Sequence, residues 1–322
     1  MDDGDVPGCV SAGGNKVSAV RIRNTIPQQL LEAIQSRSVE GGGFSMLPGG
    51  EYRSDVTAWA VLALRSARSD GSDGGLVEYS CSRLAASQQM DGRVSISPST
   101  PESFWPTPMA VLAWEGSSGH ADAQSRAVSF LLSISGKHWE KGSDSPLGHD
   151  TSLRGWPWTE ETHSWVEPTS MALLALKATG HGNHERVTEG VRMLLDRQLP
   201  SGGWNYGNTF VYGRELYPQP DMTGAALAAL VGLVKEEQLK RSLEYMKEKV
   251  SKLFTPRSLG WAVLGLGAWR SRPRDSDGWI KDCVKRQERY GTYDTSLLSL
   301  LLLAWMAEQG FAFLHPANKG NP

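Results

Sequence analysis

Six stretches of the chain are apolar at nearly every position. A helix that is hydrophobic all round is stable only when neighbouring elements enclose it. Most of these stretches start with an acidic residue or a proline, as the first turn of a helix favours. The pattern therefore predicts six enclosed helices, which read DVTAWAVLAL from Asp55, WPTPMAVLAW from Trp105, EPTSMALLAL from Glu167, DMTGAALAAL from Asp221, PRSLGWAVLGL from Pro256 and YDTSLLSLLLL from Tyr293.

A second, half-polar segment precedes each apolar stretch. These segments cover residues 24–36, 77–89, 121–134, 184–198, 236–252 and 277–288. The six pairs form an internal repeat when they are aligned on the hydroxyl residues Thr57, Thr107, Thr169, Thr223, Ser258 and Thr295. An inner apolar helix and an outer half-polar helix, repeated six times, predict an all-α fold, an (α/α)6 toroid.

The composition is that of an ordinary globular protein. Hydrophobic residues make up 39% and charged residues 21% of the 322 residues, and the formal net charge of −2 indicates no nucleic-acid-binding surface. Three widely spaced cysteines, with no secretory signal and no apolar run of membrane-spanning length, favour a cytoplasmic protein whose membrane contact is at most peripheral. We expect a flexible segment over 1–22, one toroid domain over 23–312 and a tail over 313–322.

Three turns after outer segments share a glutamine, a glycine and, in two of them, an aromatic residue. They read QLPSGGW from Gln198, QERYGTY from Gln287 and QQMDGRV from Gln88. The glutamine can satisfy free backbone groups at a helix end. The pattern resembles the QW motif of the squalene-cyclase and protein-prenyltransferase superfamily over roughly residues 24–310. The resemblance implies an α/α toroid, here a bacterial single-domain protein of the terpene-cyclase type.

The resemblance also implies a chemistry. Class II cyclases of this superfamily protonate a polyene or epoxide with the middle aspartate of a DxDDTA-like motif, and residues 165–170 take the same register with Glu167 at the donor position. Trp165 and Pro168 replace the flanking carboxylates. The resemblance therefore implies a protonation-initiated terpene cyclase, an isomerase or lyase, with a small-molecule isoprenoid substrate; whether a partner chain completes the site stays open.

The zinc ligands of the prenyltransferases are not matched. Those enzymes use an aspartate and a cysteine two residues further on, whereas Asp282 and Cys283 are adjacent here. The histidines have no recognisable metal-ligand spacing. We expect no metal, with Mg²⁺ implied only by a diphosphate substrate.

The acidic starts of the inner helices are the candidate catalytic groups. In a toroid these ends meet at one mouth, so Asp55, Glu167 and Asp221 would converge there, with Asp294 nearby. Convergent carboxylates beside an apolar cavity can have raised pKa values, as a general acid requires. His163 would hydrogen-bond Glu167, or be a surface loop residue. The alternative for the acids is helix capping.

Two long aromatic insertions, 138–166 and 204–221, precede the third and fourth inner helices. Loops of this length often serve as lids or binding walls. Aromatic faces stabilise cations and would suit carbocation intermediates, although the same rings could simply pack the lids onto the barrel. The candidate substrate-binding residues are Trp105, Trp156, Trp158, Trp165, Trp204, Tyr206, Tyr212, Tyr293 and Asp294.

Three functions are compatible with this pattern. The first is the isoprenoid cyclase, with Glu167 as proton donor. The second is a non-catalytic toroid that binds a lipid or a partner chain. The third is a carbohydrate-active toroid, because such enzymes also line a mouth with tryptophans and paired carboxylates.

Overall fold

The computed structural model describes residues 25–67, 74–142 and 145–314, so the segment 1–22 and most of the tail lie outside it. A short hairpin joins strands β1 (Phe210–Val211) and β2 (Arg214–Glu215). The helices, in chain order, are α1 (Ile26–Gln35), α2 (Ser54–Ser66), α3 (Gly74–Ala86), α4 (Thr107–Trp114), α5 (Ala121–Ser133), α6 (Val166–Ala178), α7 (Glu185–Asp196), α8 (Pro220–Leu230), α9 (Glu236–Lys249), α10 (Pro256–Ala268), α11 (Ser276–Lys285), α12 (Gln287–Tyr290) and α13 (Thr295–Met306).

The apolar helices form a closed inner ring. Helix α2 packs on α4, α4 on α6, α6 on α8, α8 on α10, α10 on α13, and α13 returns to α2. Each outer helix (α3, α5, α7, α9, α11) packs on the inner helix that precedes it, and α1 packs on α13. The predicted all-α toroid is confirmed, and the outer helices begin and end within three residues of the predicted bounds.

Side chains and backbone fill the ring. Helix α4 is buried over its whole length, and α2 is buried from Ser54 to Leu64. Helices α8 and α10 touch through their backbones, because a Cβ added to Gly224 would overlap the carbonyl of Trp261 and one added to Gly265 would overlap main-chain atoms of Gly224. None of the helices in the described ranges is long and apolar enough to cross a bilayer.

A buried threonine fixes the turn before the inner helix in four repeats. Its Oγ1 accepts a hydrogen bond from a backbone N–H of the turn, which satisfies a donor that would otherwise be buried without a partner. The bonds run from Phe44 N to Thr57 (2.9 Å), Val94 N to Thr107 (2.9 Å), Trp156 N to Thr169 (3.0 Å) and Trp204 N to Thr223 (3.0 Å).

The fifth repeat departs from the predicted alignment. The N–H of Leu259 donates to the carbonyl of Thr255, just as the N–H of Thr57 donates to that of Arg53. Leu259, not Ser258, therefore occupies the threonine position. Within the described residues no hydrogen bond from Ser258 links it to a turn, so the alignment of Ser258 with the threonines is wrong by one residue.

The sixth repeat closes the ring onto the first. Thr295 Oγ1 donates to the carbonyl of Ser45 at 2.6 Å, and the backbone N–H of Thr295 donates to that of Met46 at 3.0 Å. Arg37 Nη1 donates in turn to Thr295 Oγ1 at 3.2 Å. The last inner helix is thereby fixed to the first turn by side-chain and backbone hydrogen bonds.

Two glutamines of the repeated turns hold backbone groups as expected. Gln88 Nε2 donates to the carbonyls of Gly92 (2.9 Å) and Ala123 (2.8 Å), and so links its own turn to the next outer helix. Gln287 Oε1 accepts from the N–H of Tyr293 at 2.9 Å.

Candidate site at the mouth of the toroid

Acidic and basic side chains meet where the inner helices begin. Glu167 and Asp221 occupy the second position of α6 and α8, and Arg257 occupies the second position of α10. Arg257 Nε donates to Asp221 Oδ2 at 3.0 Å, and its Nη2 donates to Glu167 Oε1. The three helices therefore present their N-terminal ends at the same side of the ring, and the structure brings Glu167 and Asp221 together.

Asp55 and Asp294 lie on the other side of this mouth. Asp55 is 5% exposed and accepts two hydrogen bonds from Arg53, from Nε at 3.0 Å and from Nη2 at 2.7 Å. The pKa of Arg53 is raised first by these bonds and further by the charge of Asp294. Asp294 caps α13, since its Oδ1 accepts from the N–H of Leu297 at 2.9 Å. The capping alternative therefore applies to Asp294, whereas Asp55 is an ion-pair partner.

Glu167 is a buried acid of the mouth with two charged neighbours. It is 8% exposed. Burial raises its pKa above the ordinary glutamate value, the charge and hydrogen bond of Arg257 oppose this, and Asp221 adds to it. Burial acts to lower the pKa of Arg257, but the two carboxylates outweigh it and the net change is upward. Arg257 is therefore charged, and it is the main group that opposes the upward shift of the Glu167 pKa.

The two arginines of the mouth were not among the residues predicted from the sequence. A signal for Arg257 was present, because Pro256-Arg257 repeats the placement of Pro220-Asp221 at the start of an inner helix. Alignment on the proline, rather than on Ser258, puts Arg257 in the register of the acids. For Arg53, which directly precedes α2, the repeat offers no comparable signal.

His163 does not contact Glu167 by any hydrogen bond found within the described residues. Its exposed ring lies between Trp139 and Trp165, with centroid distances of 5.9 and 5.3 Å. The surface-loop alternative fits this position, and the predicted hydrogen bond to Glu167 is not formed.

The predicted substrate-binding tryptophans separate into two groups. Trp105 and Trp158 are half-buried, and they pack edge-to-face at 5.8 Å just before α4. Trp165 is half-buried and is the N-cap residue of α6, next to Glu167 in the chain. Because Trp105 and Trp165 stand at the starts of inner helices and Trp158 packs on Trp105, these rings lie at the end of the ring where the mouth opens.

Trp156 and Trp204 are core residues and have no surface to offer a substrate. They are 1% and 0% exposed, and their indole N–H groups donate to the carbonyls of Leu131 (2.8 Å) and Leu194 (2.7 Å). The expectation that they line a substrate site is corrected. Through these bonds they link outer helices α5 and α7 to the turns that precede inner helices α6 and α8.

The predicted tyrosines are spread over the surface. Tyr206 is 50% exposed, and its carbonyl accepts from the N–H of Val166 at the start of α6. Tyr212 is 83% exposed at the tip of the β1–β2 hairpin, with a positive φ of 51°. Tyr293 is half-buried and donates to the carbonyl of Cys283 at 3.0 Å. Tyr206 and Tyr293 each lie at the start of an inner helix that carries a mouth acid, Tyr206 through this hydrogen bond and Tyr293 as the residue before Asp294.

The mouth is shallow. Trp59 and Met171 lie one helical turn below Asp55 and Glu167, and they keep exposed fractions of 9% and 6%. One helical turn further along the same faces, Ala63 and Ala175 have none. Solvent therefore reaches about one helical turn, roughly 5 Å, into the ring. The described inner helices enclose no deep chamber.

An open groove of about 1110 Å³ adjoins the mouth. It runs over the loops that precede α2 and α4, between Met46, Leu47 and Tyr52 on one side and residues 96–100 on the other. It reaches the mouth at Arg53, which lines the groove and pairs with Asp55. The shallow mouth and this groove together form an extended, partly apolar depression.

The chemistry available here is that of paired carboxylates. Within the described residues no group of three or more His, Cys, Asp or Glu side chains is placed to hold a metal ion. Glu167 and Asp221 are two equally buried carboxyl groups, each 8% exposed, and one guanidinium bridges them. Such a pair can divide the roles of proton donor and base between its members.

Comparison with known proteins gives structural relatives but no sequence relatives. No family model matches the chain, and no curated protein matches it. A GH76A alpha-1,6-mannanase from Salegentibacter sp. HEL1_6 is similar in structure, with a TM-score of 0.62, 11% identity, and coverage of 90% of this chain and 99% of that one. A protein from Actinoplanes gives 0.57 at 15% identity, covering 88% and 98%.

Type II terpene cyclases are also among the structural relatives. MstE from Scytonema, without ligand, superimposes with a TM-score of 0.55 and 12% identity over 83% of this chain and 82% of that one. At these identities the similarities establish a shared fold only. The chain is an α/α toroid whose structural relatives include both a terpene cyclase and glycoside hydrolases.

Proposed function

We propose that the protein is an enzyme that acts on a carbohydrate lying across the mouth of the toroid, with Glu167 and Asp221 as its two carboxylates. The observation that carries this proposal is that Arg257 contacts both groups at an open mouth bordered by aromatic rings. Because one planar guanidinium touches both, their contacting oxygens are at most about 8 Å apart. Glycosidase carboxyl pairs span roughly 5–9.5 Å.

The shape of the mouth supports a sugar chain more than an isoprenoid. Solvent reaches only about one turn into the ring, whereas a cyclase must enclose its carbocations in a dry chamber. A glycan is extended and polar, and its apolar ring faces can stack on the half-buried Trp105 and Trp158. The groove that reaches the mouth at Arg53 gives further sugar units a place to lie.

The roles of the two acids follow from their surroundings. Glu167 donates a proton to the glycosidic oxygen as the C–O bond breaks, because burial favours its neutral form. Asp221 either takes a proton from the attacking water or attacks the anomeric carbon itself, depending on the separation of the carboxyl groups in the complex.

Arg257 controls when Glu167 can be protonated. Its side chain is 44% exposed, so it can turn from Glu167 to the hydroxyl groups of a bound sugar. Once that contact is lost, burial and the charge of Asp221 act on Glu167 without opposition, and its pKa rises further. Substrate binding and the readiness of the acid are thereby coupled.

An isoprenoid cyclase is the second candidate, and two observations favour it. Burial raises the pKa of Glu167, the residue at the proton-donor position, and Trp59 lies one turn below the mouth, where its face could stabilise a cation. Such an enzyme would require the inner helices to part. It would also draw its substrate from a membrane by peripheral contact.

The test compares the wild-type protein with Glu167→Gln and with Glu244→Gln, an exposed glutamate on α9 that serves as the matched control. Each is incubated with a panel of α- and β-linked oligosaccharides and, separately, with geranylgeranyl diphosphate and squalene. Products are followed by mass spectrometry, and folding by circular dichroism.

We expect sugar products from the wild type and the control and at least a hundredfold loss in Glu167→Gln. Cyclised isoprenoid that depends on Glu167 would replace the proposal with the second candidate. A co-purified lipid or partner that is never converted, with no product from either panel, would indicate a binding protein and overturn the enzymatic proposal.

A further inference from the structure

A separate cavity lies beside the mouth, beneath the two long insertions. We call it the lid pocket; it is lined by residues between 137 and 165, by Arg197 at the end of α7, and by Gly207 and Asn208. Its volume is about 200 Å³. The described residues that line it include none of the mouth carboxylates.

The lid pocket has two cationic side chains in its lining, Lys137 and Arg197, and no carboxylate among the described residues. Lys137 Nζ lies 2.5 Å from Glu161 Oε2, but both side chains are exposed, 55% and 81%, so this surface pair is weak and the ammonium can turn to a ligand. Arg197 is 6% exposed, and its Nη atoms donate to the neutral carbonyls of Gly207 (2.5 Å) and Asp150 (3.2 Å). Asp196 lies 3.4 Å from Arg197 Nε, but that atom has no hydrogen-bond partner. The buried charge is therefore only partly compensated.

His149 is a second buried polar side chain with an atom that lacks a hydrogen-bond partner. It is 3% exposed, and its Nδ1 has no hydrogen-bond partner. Burial, and then the nearby charges of Arg197 and Lys141, lower its pKa to about 4, so the ring is neutral and offers one donor and one acceptor. Buried polar atoms without partners are rare.

The walls of the lid pocket are flat and apolar. Trp139 and Trp165 lie on either side of His163, and all three rings line the cavity together with Leu147 and Leu153. Trp139 is 47% exposed. Its ring is therefore partly in solvent at the edge of the pocket.

We infer that the lid pocket binds a small organic anion with a flat apolar body. Arg197 and Lys137 attract the negative group, and the tryptophans and leucines hold the body. The volume of about 200 Å³ lies below the roughly 300–1,000 Å³ of sites for drug-sized molecules, so the ligand is about the size of a single substituted ring.

Three probes separate the two halves of this recognition. Benzoate carries both the ring and the charge, benzamide keeps the ring without the charge, and acetate keeps the charge without the ring. Binding is measured by saturation-transfer difference NMR titration on the full chain. Leu153→Trp fills the pocket, Lys137→Met removes its exposed cation, and Lys252→Met, an exposed lysine outside the lid pocket, is the matched control.

We expect benzoate to bind at least tenfold more tightly than benzamide or acetate. Lys137→Met should lower the affinity for benzoate about threefold to tenfold and leave the affinity for benzamide unchanged. Leu153→Trp should abolish the binding of benzoate, whereas Lys252→Met and Glu167→Gln should not change it. No benzoate binding to the wild type, equal affinity for benzamide, or affinity unchanged in Lys137→Met would each overturn the inference. The Lys137 variant decides the matter even if Leu153→Trp does not fold, and none of these outcomes depends on the proposed carbohydrate activity.

Discussion

Replacing Arg257 with methionine should destabilise the protein in a pH-dependent way. The substitution leaves Glu167 and Asp221 together at the mouth without their shared cation. Removing one partner of a fully buried pair costs about 3–5 kcal/mol, whereas an exposed pair contributes at most about 1 kcal/mol. The carboxylate side chains are 11% exposed but that of Arg257 is 44% exposed, so solvent screening lowers the expected loss to about 2 kcal/mol at neutral pH.

The direction of the pH dependence follows from the pKa of Glu167. Burial already raises this pKa in the folded protein, and the loss of Arg257 raises it further. A carboxyl group whose folded pKa exceeds its unfolded value makes no unfavourable contribution at low pH, and it destabilises the folded state as the pH rises through the folded pKa. The difference between variant and wild type should therefore be small near pH 4 and grow as the pH rises above the ordinary glutamate value of 4.5, so the two are compared at pH 4 and pH 8.

Urea unfolding, followed by both tryptophan fluorescence and far-UV circular dichroism, measures this effect, and coincident curves justify a two-state treatment. Arg192→Met, at an exposed arginine on α7, controls for the substitution itself. Adding Glu167→Gln to Arg257→Met should restore most of the lost stability at pH 8. An equal loss at both pH values, or no recovery in the double variant, would refute the proposed coupling of Arg257 to Glu167.

Three further substitutions test the ring. Thr169→Val should lower the free energy of unfolding in urea by about 1–3 kcal/mol, because it leaves the buried N–H of Trp156 without a partner. The control, Thr179→Val, should lower it less, because this half-buried threonine bonds mainly within its own helix. Gly155→Ala should lower the melting temperature because its Cβ would clash with Thr169 Oγ1, whereas Gly142→Ala, with no atom nearby, should not; equal melting temperatures would contradict the packing of this turn. Burial lowers the pKa of Lys177 from 10.5 to about 8, so the unfolded chain binds more protons between these values and stability should rise with pH across that window. Lys177→Met should lack this rise, and an unchanged pH profile would show that the lysine is not buried as described.

The fold could be predicted because its signal is distributed along the chain. Six stretches without a polar face can be satisfied only by mutual enclosure, so the inner ring follows from the pattern of apolar residues alone. The threonine before each inner helix could also be found from the sequence, because it recurs at the same place in the repeat. The fifth repeat was aligned on Ser258 because Ser258 has a hydroxyl group like the threonines. The hydrogen bond that defines the register, however, is made by the backbone N–H of Leu259.

The site was less predictable, since side-chain pairing depends on which helices become neighbours. The acids were identified from their place at helix starts, but the arginines that pair with them were not. Arg257 reaches Glu167 across a separation of ninety residues, which no local pattern records. Trp156 and Trp204 were predicted to bind substrate because they lie in long aromatic insertions. Only the structure shows that their indole N–H groups are hydrogen-bonded in the core.

The most direct test of the mouth as a catalytic site is the titration of Glu167 itself. Carboxyl carbon NMR of protein labelled at glutamate side chains, with Glu167→Gln used to assign the signal, gives its pKa in the folded protein. We expect a pKa above the ordinary 4.5 and a further increase in Arg257→Met. A Glu167 that titrates at or below 4.5, or that does not respond to the loss of Arg257, would contradict the role of buried proton donor on which the proposed function rests.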